Sequence, residues 1–400
     1  MDEMLLLLGL LAFAYVGNAL IAPGQVRTPG LPSGAQFMGL GFLLGPHALG
    51  VVPSDAADSF RPLAIAASSW LALVLGTAYG YAGERRLSAR AFLLGFAFSA
   101  CSAAAIAACV YATAKYLAHM PESDCRLLAL AIGLAGCETS RQGVRWAVER
   151  GAKPGRLLRL LEELSDTYEV VPLVGLAFLF AMAPSAEAST PLSFWGWIGL
   201  PVLLGVVLGS TSALFLSSFT EAKDTWGALL GAALLGTGVA WRLGLSPVTG
   251  LFVMGVCLSL TSRHASQLRL LLSSSEPGVL LPMLLLAGAL LRLPSEIGPL
   301  WVVAAAVGGR LLTRWALGFV TASIARAGPQ LSNRFGWSLC CTGTINALLA
   351  LSFALRFPGT VGDMVLATAA IGGISGDLIG AIGLRQALIP SEPEAAVSTT

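Results

Sequence analysis

Charge is what this sequence has least of: Asp, Glu, Lys and Arg together make up 12% of 400 residues, against 56% hydrophobic. A water-soluble domain with that balance would have too little polar surface to cover its core, which excludes a soluble fold. Histidine is nearly absent; His47, His119 and His264 are scattered near the ends of apolar runs and give no set for a metal site. The seven cysteines contain no CxxC pair and lie mostly inside apolar runs, so neither a disulfide framework nor a zinc site is expected. There is no nucleophile elbow and no HExxH helix, so the chain is expected not to be an enzyme and to need no cofactor. The net charge of +2 is small and spread out, which argues against a nucleic-acid partner. The first apolar run follows Asp2 and Glu3 and lacks a basic leader, so it is expected to be a first span, not a signal peptide.

What is present is a succession of apolar runs from end to end, each about 17 to 25 residues long and sufficient to cross a bilayer as a helix. The expected fold is an all-α integral membrane protein in membrane lipid. Thirteen spans are predicted near 4–22, 36–52, 61–82, 90–116, 125–147, 157–184, 191–216, 225–243, 246–262, 278–292, 298–325, 334–356 and 363–388. Basic residues concentrate in the connections after odd-numbered spans, notably Arg85, Arg86 and Arg90, then Arg145, Arg150, Lys153, Arg156 and Arg159. That bias predicts an outside N-terminus and an inside C-terminus. The polar, proline-containing tail 389–400 is expected to be disordered.

Three arginines, Arg141, Arg310 and Arg314, fall inside predicted spans, where a charge costs several kcal/mol unless it is paired or faces water. The acids available at that depth are Glu138, Asp166, Glu169 and Asp377. Near balance between the two sets points to a polar interior. Span 5 contains GCETSRQG (136–143) and span 12 contains CCTGTINA (340–347), glycine and hydroxyl stretches where an ordinary span would be leucine and valine. Such stretches favour unwinding, which is tolerated at membrane depth only where the backbone lines a cavity or is buried in protein. Seven steps apart, the two spans run in opposite directions, the pattern of an inverted repeat whose broken helices cross at a midplane site.

In LEELSDTYEVVPLVG (161–175), Asp166 lies ten residues beyond Arg156, or roughly 15 Å into the sixth span at 1.5 Å per residue. Arg310 is predicted at similar depth and within reach of it. A carboxylate tuned by burial and by a neighbouring cation can take a proton in one state and a metal cation in another. Glu162 and Glu163 read as a solvated helix start.

Several stretches together resemble the monovalent cation:proton antiporter superfamily. FLLGPHALG (42–50) is similar to its LGPxxLG signature, LSPVTGLFVMGVCLS (245–259) and LLPMLLLAGALLRL (280–293) to two later spans, and GGRLLTRW (308–315) to the span where a basic residue, here Arg310, follows glycine. ELSDTYEVVPLV falls where the family has its acidic pair. The resemblance implies an ion-carrying core, 90–190 and 297–388, that moves against a dimerising scaffold, 1–89 and 225–296, with 191–224 connecting them. It implies exchange of Na+ or K+ for H+ by alternating access in a homodimer of the cell membrane, inner or plasma, with Asp166 as the exchanging acid.

The pair here reads Ser165-Asp166, or Asp166-Thr167 if aligned on Pro172, in place of two acids or an amide before an acid. Arg310 instead of lysine and one acid at the pair favour one-for-one, electroneutral exchange. Thr139, Ser140 and Thr344 are the candidate oxygen ligands, with Glu138 and Asn346 shaping the site, Arg141 a further internal cation, and Glu169 and Asp377 secondary acids on a proton path. Two other readings fit the same architecture: a non-exchanging sensor, channel-like or binding subunit, and an organic-anion transporter for which the arginines would be ligands.

Overall fold

The computed structural model describes residues 31–80, 89–152, 155–167, 170–183, 192–216, 222–262, 265–294, 296–324 and 328–388. The predicted span at 4–22, Glu169 and the tail lie outside the described residues. Sixteen helical segments and no strand make up what is described. The second predicted span is a short helix, α1 (Gln36–Leu44), followed by one further turn and a half, α2 (Ser54–Ser59). Unbroken helices follow for spans 3 and 4, α3 (Arg61–Gly80) and α4 (Ala89–Tyr116). Span 5 divides into α5 (Glu122–Gly136) and α6 (Arg141–Glu149), and span 6 is described as α7 (Arg156–Thr167) and α8 (Val170–Met182). Then come α9 (Phe194–Leu216), α10 (Ala222–Arg242), α11 (Pro247–Thr261), α12 (Ala265–Ala289) and α13 (Ile297–Ile324). Span 12 divides into α14 (Pro329–Ser338) and α15 (Thr344–Arg356), and α16 (Thr360–Leu388) closes the order.

Among the described residues, seven stretches of 19 to 29 residues are long and apolar enough to cross a membrane, and the chain is a multi-pass integral membrane protein. Their outward faces carry the side chains lipid requires: on α9, Trp195, Leu203, Val207, Leu214 and Phe215 are exposed. The half-helices of spans 5 and 12 are 15, 9, 10 and 13 residues. At 1.5 Å per residue none reaches the roughly 30 Å of a bilayer core, so each crosses only as half of a pair.

The boundaries differ most at span 10, predicted near 278–292: α12 starts at Ala265 and runs through Ser273–Ser275 and Pro277. The serine hydroxyls turn back onto the carbonyls of Leu270, Leu271 and Leu272, and Ser275 Oγ also accepts from Trp70 Nε1 of α3 at 2.9 Å. In lipid a helix is the cheapest way to satisfy backbone groups, and proline is tolerated there.

Packing relies on close backbone approach. A Cβ on Gly76 of α3 would strike the Phe252 carbonyl of α11, and one on Gly255 of α11 would strike the Leu73 carbonyl of α3. Helix association in a membrane depends on such contacts, since lipid removes the hydrophobic drive between helices. The main core is centred on α15, where Ile345, Leu348, Leu351 and Phe353 pack with Leu128 and Ile132 of α5 and Val365 and Ala369 of α16. From Thr344 through Phe353 every residue of α15 is buried, so the helix is surrounded on all sides.

Candidate ion site

Both predicted interruptions are present. The first runs from Cys137 to Ser140, between α5 and α6; Ser140 is extended (φ −77°, ψ 116°) and its Oγ accepts from the Gly143 N–H at 2.8 Å, an ordinary N-cap for α6. The second runs from Leu339 to Gly343, between α14 and α15, and its N-cap position is Gly343, which has no side chain to offer.

Glu138 supplies that cap from the other broken helix. Its Oε1 accepts from the Ile345 N–H at 3.2 Å and its Oε2 from the Asn346 N–H at 2.6 Å. These are the second and third residues of α15, the donors a local cap would satisfy, and a carboxylate there also meets the positive end of the helix dipole. A Cβ on Gly343 would collide with the Glu138 carboxylate, so the glycine both lacks a cap and makes room for one.

The opposite ends are held by two arginines one turn apart on α13. Arg310 Nε donates to the Gly136 carbonyl at 3.1 Å, and its Nη1 donates to Thr342 Oγ1 and the Gly372 carbonyl, both at 3.0 Å. Arg314 Nε donates to the Leu339 carbonyl at 3.2 Å and its Nη1 to the Cys137 carbonyl at 2.8 Å. Gly136 and Cys137 end α5, and Leu339 ends α14. The guanidinium groups therefore sit where unsatisfied carbonyls and the negative ends of two helix dipoles converge. Asp377 of α16 completes the set: Oδ1 accepts from the Thr342 N–H at 2.8 Å, and Oδ2 from the Ser33 N–H at 2.9 Å and the Ser33 hydroxyl at 2.5 Å. A Cβ on Gly380 would strike the Cys341 N–H, so the second interruption lies directly on α16.

The crossing thus brings together Glu138, Thr344, Asn346, Arg310 and Asp377. Asn346 adds a side-chain bond from Nδ2 to the Ala369 carbonyl at 3.1 Å, and Thr344 Oγ1 accepts from Gln142 Nε2 at 3.3 Å. Thr139 is buried, and its Oγ1 makes no hydrogen bond among the described residues. Arg141 begins α6, with its guanidinium 5.0 Å from the centre of the Tyr79 ring. Ser165 is buried in α7, its hydroxyl turned onto the Glu162 carbonyl at 2.9 Å. Asp166 and Thr167 follow it in α7, but their side chains lie outside what is described, and Glu169 is outside altogether. The face of α7 formed by Leu158, Leu161 and Leu164 packs against Val144 and Ala147 of α6 and against Leu339 and Cys341 of the second interruption.

Arg314, Thr342, Ser33, Gln142 and Glu276 also belong to this polar interior; of these the sequence singled out Arg314 alone, as a charge in need of a partner, and gave none of them a place in the site. For Arg314 a signal existed: it follows Arg310 at i+4, so both lie on one helix face. Thr342 lies in the marked stretch 340–347, but nothing local marks its partner Asp377, 35 residues away, or links Ser33 to Asp377, 344 residues away.

No protein-family model and no curated protein sequence matches the chain. Solved structures do. The sodium proton antiporter MjNhaP1 from Methanocaldococcus jannaschii, in its structure at pH 8, superposes with a TM-score of 0.64 over 96% of this chain and 99% of that one, at 16% identity. An electron-microscopy structure of the same antiporter gives 0.62 over 95% of each chain, also at 16% identity. This chain has that antiporter's fold. With so little identity across nearly the whole length, the likeness lies in the arrangement of helices.

Proposed function

We propose that this protein exchanges a monovalent cation, Na+ or K+, for H+ by alternating access, with Asp166 as the carboxylate shared by both ions. The observation carrying the reading is the charge balance at the crossing. Glu138 and Asp377 are engaged by backbone N–H groups, and Arg310 and Arg314 by backbone carbonyls. Glu138 and Asp377, the mid-membrane acids named from the sequence and described in the structure, are committed to holding the interruptions, and Asp166, which falls where the resemblance has its acidic pair, is the acid proposed for exchange. Arg310 Nη2, buried and without a hydrogen bond among the described residues, is the donor proposed to compete with the cation for Asp166. Thr139 Oγ1 is a proposed ligand on the same ground.

In this reading the core, 90–190 and 297–388, moves against a scaffold formed by 1–89 and 225–296, which also dimerises, in a cell membrane with the N-terminus outside. The name of the similar antiporter favours Na+ as the first ion to try. An organic-anion transporter is less well supported, since Arg310 and Arg314 already serve carbonyls.

The test is purified protein in liposomes with a trapped pH dye, challenged with Na+, K+ or Li+. Dequenching in the wild type that is lost in Asp166→Asn supports the reading. A wild type silent to all three cations across a broad pH range removes it.

A further inference from the structure

We propose that Glu276 is a positioning residue for this exchange, acting through Gln142 to govern whether Thr344 Oγ1 is available to a cation; the inference rests on the exchanger reading above. Glu276 is the twelfth residue of α12, with its side chain 15% exposed. A carboxylate so enclosed is costly unless something engages it. Its partners lie on α6, across the boundary between the proposed scaffold and the proposed core. Gln142 Nε2 donates to Glu276 Oε1 at 3.3 Å, and Arg145 Nη1 lies 3.9 Å from Glu276 Oε2. Gln142 and Arg145 are three residues apart and share one face of α6.

The same Gln142 nitrogen also donates to Thr344 Oγ1 at 3.3 Å. A primary amide nitrogen has two protons, and here one meets the scaffold carboxylate and the other the hydroxyl at the start of α15. The carboxylate, together with the Ser140 hydroxyl that donates to Gln142 Oε1 at 3.5 Å, sets which way the amide faces. While Gln142 donates to Thr344, one lone pair of that hydroxyl is occupied and is lost to a cation. When core and scaffold shift, Glu276 leaves Gln142, the amide turns, and the Thr344 oxygen is released. A three-residue relay, Glu276 to Gln142 to Thr344, thus links the relative position of the two bundles to the ligand set between the broken helices. A ligand set that differs between the two positions lets the bound cation bias the equilibrium between them.

The experiment is liposome exchange with Glu276→Gln, Gln142→Ala and the double variant, measuring KM for the cation separately from the maximal rate. Expected is a change in cation KM of about threefold or more in Glu276→Gln, with the maximal rate within about twofold, since a hydrogen bond to a charged group is being removed without touching the exchanging acid. In the Gln142→Ala background that change should vanish, because the relay is already cut. An unchanged KM in Glu276→Gln, or a shift that survives in full in the double variant, overturns the inference. If Glu276→Gln does not fold, Gln142→Ala alone must shift KM with the maximal rate preserved, and an unshifted KM overturns it equally. Wild type that exchanges no cation sinks the exchanger reading itself; active wild type with an indifferent relay sinks only this one.

Discussion

Glu138 Oε2 accepts a hydrogen bond of 2.6 Å from the main-chain N–H of Asn346, 208 residues further along the chain. One interrupted helix thereby caps the other, and the pair behaves as a single structural unit in which neither interruption is complete alone.

That relationship sets the first prediction. Glu138→Gln keeps the size of the side chain and loses its charge, and should cost about 2 kcal/mol, the scale of a charge-assisted hydrogen bond together with its helix-dipole contribution. Glu138→Ala should cost more, since two N–H groups are then left unsatisfied. Thermal unfolding in detergent measures both, and an unmoved midpoint in the two variants would refute the capping role. Gly343→Ala should act in the same direction by driving a methyl into the carboxylate.

Asp166→Asn should abolish cation-dependent proton movement while leaving the unfolding midpoint close to wild type. The interruptions are tied by Glu138, Asp377, Arg310 and Arg314, so removing the Asp166 charge should not loosen them. Retained exchange in the Asn variant would assign the ion elsewhere.

Arg314→Lys should destabilise by roughly 1 to 3 kcal/mol, because an ammonium cannot present the guanidinium fork that reaches both the Cys137 and Leu339 carbonyls. Arg126, exposed beside Glu122, is the control: Arg126→Ala should change stability by less than about 1 kcal/mol, as surface ion pairs do. Equal effects at the two positions would contradict the distinction.

Glu122 stands at the membrane surface ahead of the fifth span, and its hydrogen bond from Tyr111, followed by that from Lys115, holds its carboxyl down at about 2 from an ordinary 4.5. A depressed folded-state value means that its contribution is fully present above 4.5 and fades as pH falls toward 2. Glu122→Gln should therefore leave the shape of any exchange–pH profile in the neutral range unchanged. A profile displaced by this variant would mean that Glu122 communicates with the ion path.

Much of this protein was legible in its residues. Low charge and recurrent apolar runs specify membrane-spanning helices, because hydrocarbon leaves backbone groups no partner except each other. The glycine and hydroxyl stretches at 136–143 and 340–347 marked both interruptions, since an ordinary span has no reason to carry them. Arg310, Arg314, Glu138 and Asp377 stood out for the same reason: charge at that depth requires a partner. The start of α12 lies thirteen residues before the predicted one, and the helix continues through Ser273–Ser275 and Pro277, since lipid leaves its backbone groups no partner outside the helix.

The sequence by itself determined that the chain spans a membrane repeatedly, that two spans are interrupted, and which charges need partners. Only the tertiary structure decided who those partners are. Glu138 reaches α15, Asp377 reaches Ser33, and both arginines donate to carbonyls. Composition and periodicity act over one or two helical turns, whereas these pairings join residues up to 344 positions apart. They are set by how helices lie against one another, and helix ends buried without water must take whatever donor or acceptor the packing brings to them.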